Sequence, residues 1–217
     1  MRNISDHYLG DRGKDYISIR EFDKHNLGRA WQLKNYFSFH IHKGDVVLDI
    51  GANDGFMLSQ VNCLKKIGVE VNPHSLVAAP SNIEMHEDFT KIPDESIDVV
   101  ISNHCLEHIP SPILILKDVL RVLKNRGKLV LVTPLDDMHR DWEYGDEDHH
   151  LYTWTPVNIG NLLTEAGFEV QEVKLCRVAW SPKLFPLLRF EKLFIIACKM
   201  LSRIKRRQEV YAVAFKK

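Results

Sequence analysis

The sequence predicts an open α/β sheet, doubly wound, with a ligand above the C-terminal ends of its parallel strands. Three observations predict it. The stretch VVLDI, Val46–Ile50, is a β-branched apolar run that passes straight into a glycine turn, Gly51 to Gly55, as a strand buried on both faces does when it feeds a helix. Further apolar runs, IGVEV, DVVISN and KLVLVTP, follow with helical or turn patterns between them, so strand and helix alternate. An acidic residue, Glu70, falls nineteen residues after Gly51, at the tip expected for the neighbouring strand.

The turn is informative residue by residue. Gly51 and Gly55 permit positive φ and a close approach of backbone to ligand. A dinucleotide fingerprint G-x-G-x-x-G would have glycine where Asn53 stands, so that match is broken, although Asn tolerates a left-handed backbone. Asp49 and Asp54 put carboxylates where a diphosphate would lie, which disfavours one and welcomes an ammonium or sulfonium group. The two oxygens of Glu70 suit both hydroxyls of a ribose, at roughly 1.5–3 kcal/mol per hydrogen bond to a charged acceptor. Adenosine with a cationic tail is the ligand these residues imply.

The motifs LDIGANDG, GVEVNP and HEDFTKIPDESIDVVISNHCLEHI, in that order, resemble the class I S-adenosylmethionine-dependent methyltransferases of the broad type-11/type-12 group. The resemblance runs from about Gly44 to the C-terminus. It implies a Rossmann-like sheet of seven strands, mostly parallel with the last antiparallel, and helices on both faces. It implies S-adenosylmethionine as cofactor, with S-adenosylhomocysteine as product, held by Asp49, Gly51, Asn53, Gly55, Glu70 and Val71. Asp88 and Phe89 resemble the adenine pocket, the acid accepting from the amino group and the ring packing on the base. Asn103 and His104 fall near the cofactor's amino-acid end or the reacting centre. Cys105 to His108 looks like the group's LEH signature, in which His108 is either a base or a brace for the adjacent helix. The departure from the pattern is Asn53, where the family usually has its second glycine.

At 217 residues the chain suits a single domain. The expected divisions are an N-terminal cap over 1–43, a cofactor-binding core over 44–134, and an acceptor-side part over 135–217 with a helical insert at 181–207. Lys+Arg and Asp+Glu balance at 29 each, so no global field favours nucleic acid as a partner. Cys63, Cys105, Cys176 and Cys198 are far apart and form no C-x-x-C pair, which reads as reduced thiols. The polar start, MRNISDHYLGDRGKDY, lacks the apolar core of a signal peptide, and no apolar run reaches the roughly 18 residues that span a bilayer. A cytoplasmic location is expected; nothing in the sequence sets the oligomeric state.

Taken in order, residues before about Leu27 show little periodicity, and GRAWQLKNYFSFHI reads as a helix beside the sheet. The resemblance makes this N-terminal piece a cover for the ligand, with Tyr8, Tyr16 or Arg29 touching it. Phe56, Leu58, Val61 and Leu64 mark a first crossover helix, and Ile83 to His86 an edge strand. Ser111 and Pro112 form an N-cap and first-turn pair, after which Ile113, Leu116, Leu120 and Leu123 trace one helical face that Asn125 and Gly127 stop. Thr155 and Pro156 repeat that start for a helix closed by Gly167, and FEVQEVKL and EVYAVAFKK are the last two strands.

The loop from Leu135 to Leu151 holds seven carboxylates and three histidines at the ligand face, a length that is commonly functional. His149 and His150, before Tyr152 and Trp154, resemble the family passage that borders the acceptor. With His108 they are the candidate catalytic residues for a hydroxyl acceptor, because imidazole titrates near neutrality. No ligand spacing specifies a metal, and none is expected. The insert combines apolar residues with a basic end, Lys199 to Arg207, so a peripheral contact with an anionic membrane through 183–207 competes with plain packing. The expected activity is methyl transfer, by O-methylation, to a small-molecule, sugar or lipid-linked acceptor. A methyl-donor-binding module that transfers nothing, and a nicotinamide-dependent oxidoreductase, are the alternatives; the broken fingerprint and the two aspartates argue against the latter.

Overall fold

The computed structural model describes residues 8–20, 22–136, 141–144, 146 and 148–217. Seven strands form one sheet in the order β3-β2-β1-β4-β5-β7-β6. They are β1 (Val46–Ile50), β2 (Lys65–Val69), β3 (Glu84–His86), β4 (Ile97–Asn103), β5 (Leu123–Leu135), β6 (Glu169–Cys176) and β7 (Gln208–Phe215). The first five are parallel, and β7 enters between β5 and β6, antiparallel to both. The expected seven-strand sheet with an antiparallel last strand is therefore present, with the last strand inside the sheet rather than at its edge.

Strand residues alternate between two apolar layers, because successive side chains point to opposite faces. On one face Leu48, Ile50, Val100, Leu129 and Leu131 pack against Leu116 and Val119 of α5 (Pro112–Val122) and Ile159 and Leu163 of α6 (Pro156–Ala166). On the other, Val47, Val99, Ile101, Val130 and Val132 meet Trp31, Leu33 and Phe37 from the N-terminal segment and Phe194 and Cys198 of α7 (Glu191–Lys205). Each fully buried aliphatic or aromatic side chain contributes about 1.5–3 kcal/mol relative to exposure. Both layers stop at the C-terminal strand ends, which leaves a crevice there.

Three local expectations are corrected. The chain before Leu27 is helical, in α1 (Gly10–Arg20) and α2 (Phe22–Gln32), the latter running on through a π-turn over Leu33–Phe37. These helices carry little apolar periodicity because part of their support is polar and remote; Asn72 Nδ2, for instance, donates to Gly13 O at 2.9 Å. The first crossover helix, α3, is one turn long (Phe56–Ser59), since Ser59 Oγ bonds back to Phe56 O and the chain then returns through Leu64 N to Asp45 O. Leu64 is accordingly 72% exposed rather than core. The helix after Pro112 ends at Val122, where Leu123 already pairs with Ile97 of β4, ahead of the expected Asn125–Gly127 stop. The remaining helix, α4 (Pro73–Ala78), starts on an Asn72 side chain that accepts from His74 N. The insert after β6 is helical, a 3-10 stretch over Pro182–Arg189 followed by α7.

Candidate active site

A cavity of about 1510 Å³ lies over the C-terminal ends of β1, β2, β4 and β5. Small-molecule sites run to roughly 1,000 Å³, so this one has room for two reactants.

Its first wall is the turn after β1. Gly51 takes φ +72, and a Cβ there would sit 2.6 Å from Cys105 Sγ, so only glycine fits. The N–H groups of Gly51 and Ala52 both donate to Val69 O, which curls the turn onto β2. Glu70 then accepts from Asn53 N at 2.9 Å and Asn72 N at 2.8 Å, one oxygen to each. A carboxylate offers about four lone-pair sites, so these bonds orient Glu70 without exhausting it. Burial raises its carboxyl, against the pull of those N–H groups. Asn53 sits at φ +50 and accepts from Ser75 Oγ, the left-handed role expected of it. Asp49, Gly51, Asn53, Glu70, Val71, Asp88, Phe89, Asn103 and His104 all line the cavity.

Two residues of that turn lie elsewhere. Gly55 does not line the cavity; at φ +71 it precedes α3 and packs against Ile83 and Pro80. Asp54, whose charge seemed aimed at the ligand, pairs instead with Arg29 Nη2 at 2.6 Å, in a contact only partly exposed. Asp49 is the acid that faces inward, and burial raises its carboxyl to about 8 although Arg29 opposes the shift. Asp88 caps the following turn by accepting from Thr90 N, while Phe89 joins the apolar layer beneath.

The second wall is assembled from distant segments. Leu106–His108 forms a 3-10 turn after β4. Its Glu107 carbonyl accepts from Leu151 N and Tyr152 N, stapling the end of the acidic loop to it. Glu107 itself is fully buried, and neither carboxylate oxygen has a hydrogen-bond partner among the described residues. Burial raises its carboxyl, with His104 pulling the other way. His108 Nδ1 lies 2.6 Å from Tyr8 Oη and 3.4 Å from the His149 carbonyl. His150 Nδ1 lies 2.9 Å from Asp136 Oδ2. Burial lowers the His150 imidazole, but the Asp136 hydrogen bond and the nearby carboxylates of Glu107 and Asp148 outweigh it and leave it raised. Deeper, Glu209 of β7 accepts from Gln32, Tyr36 and His104.

Of the three histidines proposed as bases, the structure brings His108 and His150 together, their ring centroids 4.9 Å apart. His149 does not line the cavity; at φ +48, with its N–H on Asp146, it turns the chain. Asp137, His139 and Glu147 of the same loop lie outside the described residues. Tyr8, Tyr16 and Arg29 line the cavity as well. Glu107 and Glu209 were missed as site residues. A glutamate before His108, and a lone acid in the apolar run EVYAVAF, were the available signals.

This sheet order, with a glycine turn and an acid at the next strand tip, defines a class I methyltransferase fold. A family profile described as "Methyltransferase domain" matches residues 21–173, and the chain belongs to that family. It is an S-adenosylmethionine-dependent methyltransferase by that membership. An uncharacterized methyltransferase of Schizosaccharomyces pombe is 27% identical over 202 residues, which cover 74% of each chain. One from Mycobacteroides abscessus is 28% identical over 129 residues, 54% of this chain and 49% of that protein. Among solved structures, phosphoethanolamine N-methyltransferase 2 of Haemonchus contortus, in complex with phosphomonomethylethanolamine and S-adenosylhomocysteine, superposes with a TM-score of 0.63 at 15% identity, over 93% of this chain and 59% of that one. That likeness concerns the fold.

Proposed function

We propose that the cavity binds S-adenosylmethionine along the first wall and methylates a hydroxyl presented at the second. The observation that carries this reading is Glu70, held by two backbone N–H groups with its carboxylate facing a cavity whose opposite side carries two oriented imidazoles. Glu70 takes the ribose hydroxyls, and Asp88 with Phe89 takes the adenine. Asp49 lies on the side of the sulfonium and amino-acid tail, together with Asn103 and His104. The sulfonium is already a good leaving group, so the protein's work is to align acceptor, methyl and sulfur and to exclude water. His150, oriented by Asp136, and His108, oriented by Tyr8, activate the acceptor hydroxyl.

The acceptor belongs to the small-molecule, sugar or lipid-linked classes, and nucleic acid is not its partner, given balanced charge overall. Titration with S-adenosylhomocysteine and with NAD tests the ligand: tight binding of the first and none of the second is expected, and the reverse overturns the reading. A mass-spectrometric screen with isotopically labelled methyl donor tests transfer. A module that binds and transfers nothing yields no labelled product from any acceptor class.

We further propose that α7 rests on an anionic membrane surface, from which a lipid-linked acceptor would reach the cavity. No helix among the described residues is long and apolar enough to cross a membrane. On α7, however, Leu193, Ile196, Met200 and Ile204 are all more than half exposed, at spacings of three and four that put them on one face. Lys192, Lys199 and Arg203 flank that stripe, and Lys205 and Arg207 line the cavity mouth. Sedimentation with phosphatidylserine-containing vesicles should pellet the protein, and replacing the four apolar residues with Ser should abolish it. Equal pelleting of that variant overturns the membrane contact.

A further inference from the structure

Glu107, His108 and His150 form a group that the methyl-transfer chemistry alone does not call for. One ligand atom from each lies within 4.8 Å of the others. Glu107 is 0% exposed and both its oxygens lack a hydrogen-bond partner among the described residues, a state that natural interiors generally avoid. Its Oε1 stands 3.7 Å from His108 Nε2, too far for a hydrogen bond.

The two imidazoles are set for a common task. A proton on His108 Nδ1 suits the His149 carbonyl, which can only accept, and puts the Nε2 lone pair on the side of Glu107. His150 likewise donates from Nδ1 to the Asp136 carboxylate, which leaves Nε2 as its remaining donor atom. A carboxylate or hydroxyl behind each histidine is the arrangement that orients metal-ligating imidazoles. The supports are firm, since the 3-10 turn and the loop end are tied together through Glu107 O.

We propose that Glu107, His108 and His150 bind a divalent transition-metal cation, best matched by Zn²⁺, with its open coordination positions facing the acceptor side of the cavity. Two nitrogens and one oxygen, with no thiolate, suit Zn²⁺ or its neighbours in the first row; Mg²⁺ and Ca²⁺ prefer all-oxygen shells. Bond lengths of about 2.0–2.2 Å put tetrahedral ligand atoms roughly 3.3 Å apart, so the three side chains close by about an ångström or a little more on binding. The inference rests on the reading above and changes one part of it: with their Nε2 atoms on the cation, the two histidines hold the metal rather than take the proton, and the cation lowers the pKa of the acceptor hydroxyl.

The test uses the full chain after chelator treatment, titrated with ZnCl₂ by calorimetry and with Co²⁺ by visible absorption. One equivalent should bind with a Kd below a micromolar, and Co²⁺ should give the intense bands of a four- or five-coordinate site. Glu107→Gln and His150→Gln should each weaken binding at least ~100-fold, and Asp136→Asn about 10-fold. No saturable binding by the wild type, or an affinity that these substitutions leave unchanged, overturns the site. If Glu107→Gln does not fold, judged by its far-UV spectrum, His150→Gln on the loop decides. S-adenosylhomocysteine affinity measured on the wild type separates the two readings: a wild type that binds S-adenosylhomocysteine but no metal sinks only the cation, and one that fails to bind S-adenosylhomocysteine sinks the methyl-donor assignment.

Discussion

The first wall, proposed here for the ribose side of the cofactor, comes from one continuous piece of chain, Val46 to Asn72, closed by backbone bonds such as Gly51 N to Val69 O and Asn53 N to Glu70 Oε2. The acceptor-side wall draws on Tyr8, the turn at Glu107–His108, the loop end at Asp136 and His150, and Glu209 on β7. Local backbone geometry orders the first; side chains meeting across the fold order the second. The first should therefore fail as a unit when its anchor is cut, whereas the second should lose chemistry residue by residue without losing the cofactor.

The largest effect is expected at Glu70. Glu70→Ala removes the acceptor of two backbone N–H groups as well as the proposed ribose contact, each worth roughly 1.5–3 kcal/mol, so S-adenosylhomocysteine affinity in calorimetry should fall more than ~100-fold. Retained affinity would break the comparison at its firmer side. Next come His150→Gln and His108→Gln, which should slow turnover roughly 100-fold while leaving cofactor affinity within about twofold. A joint loss of turnover and cofactor binding would mean that the two walls are one.

A smaller effect is expected where the N-terminal cover grips the first wall. Arg29 holds Asp54 through both nitrogens and lies 4.8 Å over the Phe56 ring. Arg29→Ala should lower stability by about 2 kcal/mol in denaturant unfolding, with the slope unchanged. The last is a pH dependence and concerns Asp49, whose carboxyl is raised to about 8. The unfolded chain ionises it near pH 4, so its contribution to stability is full below about pH 4, shrinks as pH rises, and is lost above about pH 8. Asp49→Asn should match the wild type at about pH 4 and melt at progressively higher temperature relative to it up to about pH 8. A constant offset across that range would show that Asp49 is ionised throughout.

Legibility in the sequence follows the same division. Gly51, Asn53 and Glu70 were readable because positive φ, a left-handed Asn and a strand-tip acid are properties of a few consecutive residues. Asp54 misled because its charge was read without Arg29, which reaches it from α2. His149 and His150 were equivalent as sequence neighbours; the positive φ at His149 and the Asp136 contact of His150 separated them. Helix α1 and the start of α2 escaped notice because their support is partly polar and remote.

The sheet and helix alternation, the glycine turn, the acid at the next strand tip and the broken dinucleotide fingerprint are legible in the amino-acid order alone, since apolar period and backbone freedom are local quantities. Packing of distant segments settled that β7 lies between β5 and β6, that Asp54 pairs with Arg29, and that a buried Glu107 meets His108 and His150 at the cavity wall. Those outcomes depend on which distant side chains the packed layers bring within a few ångströms, and no window of neighbouring residues carries that distance.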